Sequence, residues 1–75
     1  MDKSKAEFLH ELGKRITQLR KSRGWTQEEL AEHSGLHRTY ISSLERGHRN
    51  PTITSLRAIA SAIGISLYEF FSTNG

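Results

Sequence analysis

Apolar residues recur along this chain at helical spacings, and nowhere do they alternate with the period of two that a half-buried strand needs. Phe8, Leu12, Ile16 and Leu19 lie four, four and three apart, which predicts one apolar stripe on a helix over about residues 4–23. Leu30 and Ala31 form the inward side of a second helix, about 27–34. Ile41 and Leu44 do the same for a third, about 37–46. Leu56, Ile59, Ala60 and Ile63 mark a fourth over about 53–63, and the apolar run LYEFF predicts a short fifth, about 66–72. The pattern is all-α, five helices in one domain spanning residues 1–75.

Polar punctuation supports these limits. Ser4–Glu7, Thr26–Glu29 and Ser66–Glu69 are S/T-x-x-E capping boxes, in which the hydroxyl takes an orphan N–H and the Glu reaches back. Ser42–Glu45 has the same spacing but falls inside the third helix, so it is discounted. Gly24, Gly35, Gly47 and Gly64 fall at expected helix ends. Pro51 disfavours helical geometry at Asn50 and is acceptable near a helix start. Gly13 is the exception: mid-helix it costs about 1 kcal/mol against Ala, which predicts close packing against another helix. Helices two and three, joined by a tight turn containing Gly35, match a helix-turn-helix pattern. The third has the polar outer face and early Arg that a major-groove reader needs.

Composition narrows the classes. The 75 residues contain no cysteine, which excludes disulfides and thiolate metal sites. No apolar run approaches the about 20 residues that cross a membrane, and MDKSK lacks a secretory core, so a cytoplasmic location is expected. A chain this short buries only roughly 60% of its unfolded surface, so a partner that adds area would matter. Net charge is +3, weak evidence by itself for a nucleic-acid partner. Placement adds to it. Lys14, Arg15, Arg20, Lys21 and Arg23 crowd the first helix, while Arg38, Arg46 and Arg49 surround the third.

TQEELA followed by SGLHRTYISSLERG resembles the lambda-repressor-like (Xre) DNA-binding domain, and HRTYISSLERGHRNPT is similar to the restriction–modification controller proteins. The resemblance covers about Leu12 to Phe71. It implies the five-helix lambda-repressor-like fold and a homodimer on two-fold symmetric, palindromic operators in double-stranded DNA. It also implies a bacterial or phage-encoded, nucleoid-associated protein, with RNA polymerase as a candidate partner.

Carried onto this chain, the resemblance assigns base reading to Arg38, Thr39 and Ser43. Arg38 suits guanine O6 and N7, and Thr39 suits a thymine methyl unless it serves as an N-cap. Tyr40 and Ser42 would touch backbone or base methyls, with a buried Tyr40 as the alternative, since a large aromatic in a small domain is usually core. Gln27, at the amino end of the second helix, would face a phosphate. Arg46, Arg49 and Asn50 would contact the backbone, unless Asn50 is only a turn residue before Pro51. Such contacts set register and affinity without carrying sequence information directly. Arg20 and Glu45 match a pair that bridges helices one and three while the Arg approaches phosphate. Leu67, Tyr68, Phe70 and Phe71 correspond to a dimer interface. The alternative is that the aromatics close the monomer core, with one Phe inward and the other outward.

His33 and His37 are separated by a helix break, and no carboxylate or thiol accompanies the four histidines at ligand spacing, so no metal or other cofactor is expected. No nucleophile–base constellation is present, so no catalytic residue is assigned. The expected function is a sequence-specific transcriptional regulator of the controller type. A phage-type repressor, an antitoxin or a fragment of a longer regulator would share these features. Outside that class stands a helical protein–protein adaptor using the fifth helix.

Overall fold

The computed structural model describes residues 3–72. They form α1 (Lys3–Ser22), α2 (Gln27–Ser34), α3 (Arg38–Glu45), α4 (Ile53–Ile63) and α5 (Leu67–Phe71), with no strand among the described residues. Each predicted helix exists, with limits within one or two residues of the expected ones.

Local chemistry explains most boundaries. Thr26 and Ser66 are N-caps with both halves of the capping box formed; Glu29 N–H donates to Thr26 Oγ1 at 3.1 Å and Thr26 N–H to Glu29 Oε1 at 2.8 Å. Thr52 caps α4 by accepting from Ser55 N–H. The Ser4–Glu7 box is not used. Ser4 already lies within α1, and a hydroxyl caps only from a non-helical residue. Gly35 has φ +76°, which closes α2 and turns the chain towards α3.

The core gathers Ile16 from α1, Leu30 from α2, Ile41 and Leu44 from α3, Ile59 from α4 and Phe70 from α5, all essentially inaccessible. Burying each side chain of this size stabilises the fold by about 1.5–3 kcal/mol. One expected core residue is misplaced. Phe8 is 57% exposed and Leu9 is buried instead. The stripe through positions 9, 12 and 16 is as helical as the one through 8, 12 and 16, so spacing could not separate them.

The tightest approach is between α1 and α3. A methyl added at Gly13 would lie 2.5 Å from the carbonyl oxygens of both Leu44 and Glu45. No side chain separates the two backbones there, which explains a mid-helix glycine. Gly47 makes a similar contact, with φ +75° and a space where any Cβ would meet the His10 Cα at 3.0 Å.

Candidate nucleic-acid interface

The third helix is held in place on the flank turned towards α1. Arg20 donates from Nε to Glu45 Oε2 at 2.7 Å, from Nη2 to Glu45 Oε1 at 2.9 Å and from Nη1 to the Trp25 carbonyl at 2.8 Å. Gln27 adds a bond from Nε2 to Glu45 Oε1 at 3.0 Å. The side chains of Arg20 and Glu45 are only 12% and 5% exposed. One carboxylate on α3 thus ties together α1, the α1–α2 turn and the start of α2. Burial pushes the Glu45 carboxyl up. Hydrogen bonds from Arg20, Gln27 and Thr17, with the Arg20 charge, outweigh it and hold the group below its ordinary value. The bond to Glu45 raises Arg20 in turn, against an opposing effect of its own burial.

The opposite flank of α3 is pinned to α4. Tyr40 is half-buried and donates to Ser55 Oγ at 3.0 Å, and Ser55 Oγ also accepts from Thr52 Oγ1 at 2.9 Å. The Arg49 guanidinium lies 5.0 Å from the centre of the Tyr40 ring. Tyr40 is therefore neither a free surface residue nor a core one: its hydroxyl is committed, and its ring borders an open groove with Gly35, His37, Thr39, Ser43 and Arg49.

Between these two anchored flanks lies the outward face of α3. At 100° per residue, Arg38, Thr39, Ser42, Ser43 and Arg46 fall on the side away from Ile41 and Leu44. Arg38, Thr39 and Arg46 are exposed, and Ser42 and Ser43 are half-buried. Arg38 has no partner among the described residues, and the Ser43 hydroxyl donates back to the Thr39 carbonyl at 2.9 Å. His37, not Thr39, occupies the N-cap, and it makes no side-chain cap bond. The first N–H groups of α3 therefore point outward without a side-chain acceptor at the cap, an arrangement that favours an approaching anion. Arg49 and Asn50 are exposed in the connector that follows.

Gln27 is the one expected phosphate-facing residue whose amide is engaged elsewhere. Its bond to Glu45 places it in the anchoring network, and nothing in its sequence position signalled that. Sequence reasoning also missed the Tyr40–Ser55–Thr52 chain, because Ser55 and Thr52 look like ordinary helix-start residues.

At the far end of the molecule, α5 exposes Tyr68 (84%) and Phe71 (46%), Leu67 is half-buried, and Phe70 is wholly inside. Phe70 is thus a core residue. Its ring packs edge-on against Phe71, the phenylalanine that turns outward. The remaining chemistry is structural. His33 stacks on Trp25 at 4.1 Å, and no group of three or more metal-ligating side chains is assembled among the described residues.

The Helix-turn-helix family model matches residues 16–70 of the chain. The chain belongs to the Xre-like helix-turn-helix family. Members of this family are DNA-binding transcriptional regulators and not enzymes. This Xre-like domain is 47% identical over 58 residues to an uncharacterised HTH-type transcriptional regulator, y4dJ, of Sinorhizobium fredii; the match covers 77% of this chain and 75% of that protein. It is 41% identical to the control protein C.SmaI of Serratia marcescens, over 85% of this chain and 76% of the other. A third relative, the immunity repressor of Bacillus phage phi105, is 43% identical, but the match covers only 39% of its length, against 75% of this chain. Among solved structures, the restriction–modification controller protein C.AhdI of Aeromonas hydrophila superposes with a TM-score of 0.84 at 38% identity, covering 87% of this chain and 98% of that one. The controller protein C.Esp1396I, solved as a tetramer on its natural 35-base-pair operator, gives a TM-score of 0.78 at 44% identity, over 84% of this chain and 83% of that one. No helix of the described residues is long and apolar enough to cross a membrane.

Proposed function

We propose that this Xre-like domain reads specific sequences in double-stranded DNA as a symmetric dimer on palindromic operators, in the manner of a restriction–modification controller protein. The observation that carries the proposal is the division of labour on α3. Its two flanks are tied to α1, α2 and α4, while Arg38 is exposed on the outer face beside Thr39, Ser42 and Ser43, with no partner among the described residues. A guanidinium without an internal partner is available for a bidentate pair with guanine O6 and N7, the commonest specific major-groove contact. Thr39 and Ser43 supply a methyl and hydroxyls at the neighbouring base step. Arg46, Arg49 and Asn50 are exposed beyond the end of α3 and suit phosphates, which position without specifying. Arg20 and Gln27 act on the other side by holding α3, with any phosphate contact secondary.

The controller assignment is supported by the likeness to C.SmaI, C.AhdI and C.Esp1396I over most of each chain. A dimer is supported by the outward aromatics of α5, which suit contact with a second copy. Half-sites would then lie about one turn apart, roughly 34–36 Å. The phage repressor match favours a second possibility, in which the same reading domain belongs to a repressor of larger build.

The experiment is affinity selection from a random duplex pool followed by sequencing of the bound fraction. An enriched palindrome with guanines at matching positions in both half-sites is the expected result. Uniform weak binding without an enriched motif would overturn it and leave the helical adaptor.

A further inference from the structure

Arg15 lies on α1, and its guanidinium, like that of Arg20, is engaged, here through two of its nitrogens. Nε donates to the Phe70 carbonyl at 2.8 Å and Nη2 to the Glu69 carbonyl at 2.9 Å. Both acceptors are carbonyls at the carboxyl end of α5, where a helix carries partial negative charge, and the Glu69 carbonyl also accepts from the Ser72 N–H at 3.2 Å. A helix of five residues is far too short to hold itself together in water. Its amino end is closed by the Ser66–Glu69 capping box, and one face is buried through Phe70. Arg15 supplies the remaining tie, a forked, charge-assisted pair from outside the helix.

The position of that tie matters because of what surrounds it. Arg15 lies between two surface grooves. One is lined by Phe8, Leu12, Phe70 and Phe71, the other by Leu19, Ile65 and Tyr68. The exposed aromatics Phe8, Tyr68 and Phe71 therefore share one end of the molecule, two on α5 and one on α1, and Arg15 is the residue that fixes α5 against α1 there. Glu11 and Lys14 line the same groove as Phe8 and Phe71. Charges of both signs beside an apolar patch suit a two-fold contact, in which each copy meets the same patch on the other.

We propose that Arg15 is a positioning residue for dimerisation: it sets the orientation of α5 so that Phe8, Tyr68 and Phe71 form one face that receives a second copy of this chain. This rests on the dimer proposed above and adds a residue, and a part of α1, that the resemblance did not assign. It also separates two functions along the chain, with Arg20 serving the reading helix and Arg15 serving the pairing helix.

The test uses the full chain and three substitutions, Arg15→Ala, Arg15→Lys and Tyr68→Ala. Dimerisation is followed by sedimentation equilibrium, and DNA binding by titration of a duplex carrying one half-site of the selected palindrome. Arg15→Ala is expected to weaken dimerisation by about tenfold or more while half-site affinity stays within about twofold. Arg15→Lys, which keeps the charge but not the fork, should fall in between. Combined with Tyr68→Ala, the Arg15→Ala effect should shrink, because the face it orients is already damaged. Dimerisation of Arg15→Ala like the parent would overturn the proposal. So would an equal loss of half-site binding, since Arg15 would then support the whole domain. A parent chain that stays monomeric on and off DNA would remove the dimer itself, and that outcome is read before any substitution is made.

Discussion

The two ends of this small domain solve opposite problems. Around α3, polar side chains are partly buried, and no buried polar side-chain atom among the described residues lacks a partner: Glu45 accepts from Arg20 and Gln27, and Tyr40 is bound to Ser55. Around α5, apolar groups are exposed: Phe8, Tyr68 and Phe71 all lie at the surface. The first end is complete within one chain. The second leaves an apolar face uncovered. A reading helix gains from being immobile before DNA arrives, because order already present need not be acquired on binding. A pairing face gains from being left uncovered.

The contrast is sharpened most by breaking the α3 anchor. Glu45→Ala leaves the Arg20 charge largely buried without its carboxylate, and the expected cost is about 3–5 kcal/mol of unfolding free energy in denaturant titrations. Gly13→Ala should follow. The new methyl meets two backbone carbonyls that cannot step aside cheaply, so a loss of about 1–3 kcal/mol is expected together with weaker operator binding. Arg38→Ala should leave the melting temperature unchanged and relax preference at one or two base pairs, a discrimination of about 1–3 kcal/mol in competition binding with mismatched duplexes.

A smaller effect concerns pH. The Glu45 carboxyl sits below its ordinary value in the folded chain, so its stabilisation is complete above the unfolded carboxylate range of about 4.3 and fades as pH falls through the folded value. Thermal melts of Glu45→Gln should therefore show a shallower loss of stability in acid than the parent. Smallest of all, Tyr68→Ala should change monomer stability by less than about 0.5 kcal/mol, since the ring is 84% exposed, yet weaken self-association.

What was legible in the sequence is what local chemistry decides. Thr26 with Glu29, Ser66 with Glu69, and Gly35 and Gly64 mark helix ends through interactions spanning a few residues, and all four positions behave as their residue types require. The outer face of α3 followed from the spacing of Ile41 and Leu44. Local signals failed where tertiary structure chooses between equals. Ser4–Glu7 has the capping spacing but lies inside α1. Phe8 and Leu9 both continue a helical stripe, and the packing of the domain selects Leu9. Arg15 was invisible for a stronger reason. Its partners are main-chain carbonyls 54 and 55 positions away, which carry no side-chain signature to read. Gln27 shows a related limit, because a surface-looking amide reveals nothing about which acceptor the fold will bring to it.

The contact at Gly13 has a consequence for redesign. Because α3 meets the α1 backbone closely at Gly13 and is pinned on its flanks through Glu45 and Tyr40, none of the contacts that hold it in place comes from the side chains of Arg38, Thr39, Ser42 or Ser43. On the proposed reading, substitutions at Arg38, Thr39, Ser42 and Ser43 are expected to change base preference while leaving the position of α3 in place. The domain is in that respect a keyboard whose keys can be relabelled, and libraries confined to those four positions are a compact starting point for new operator preferences.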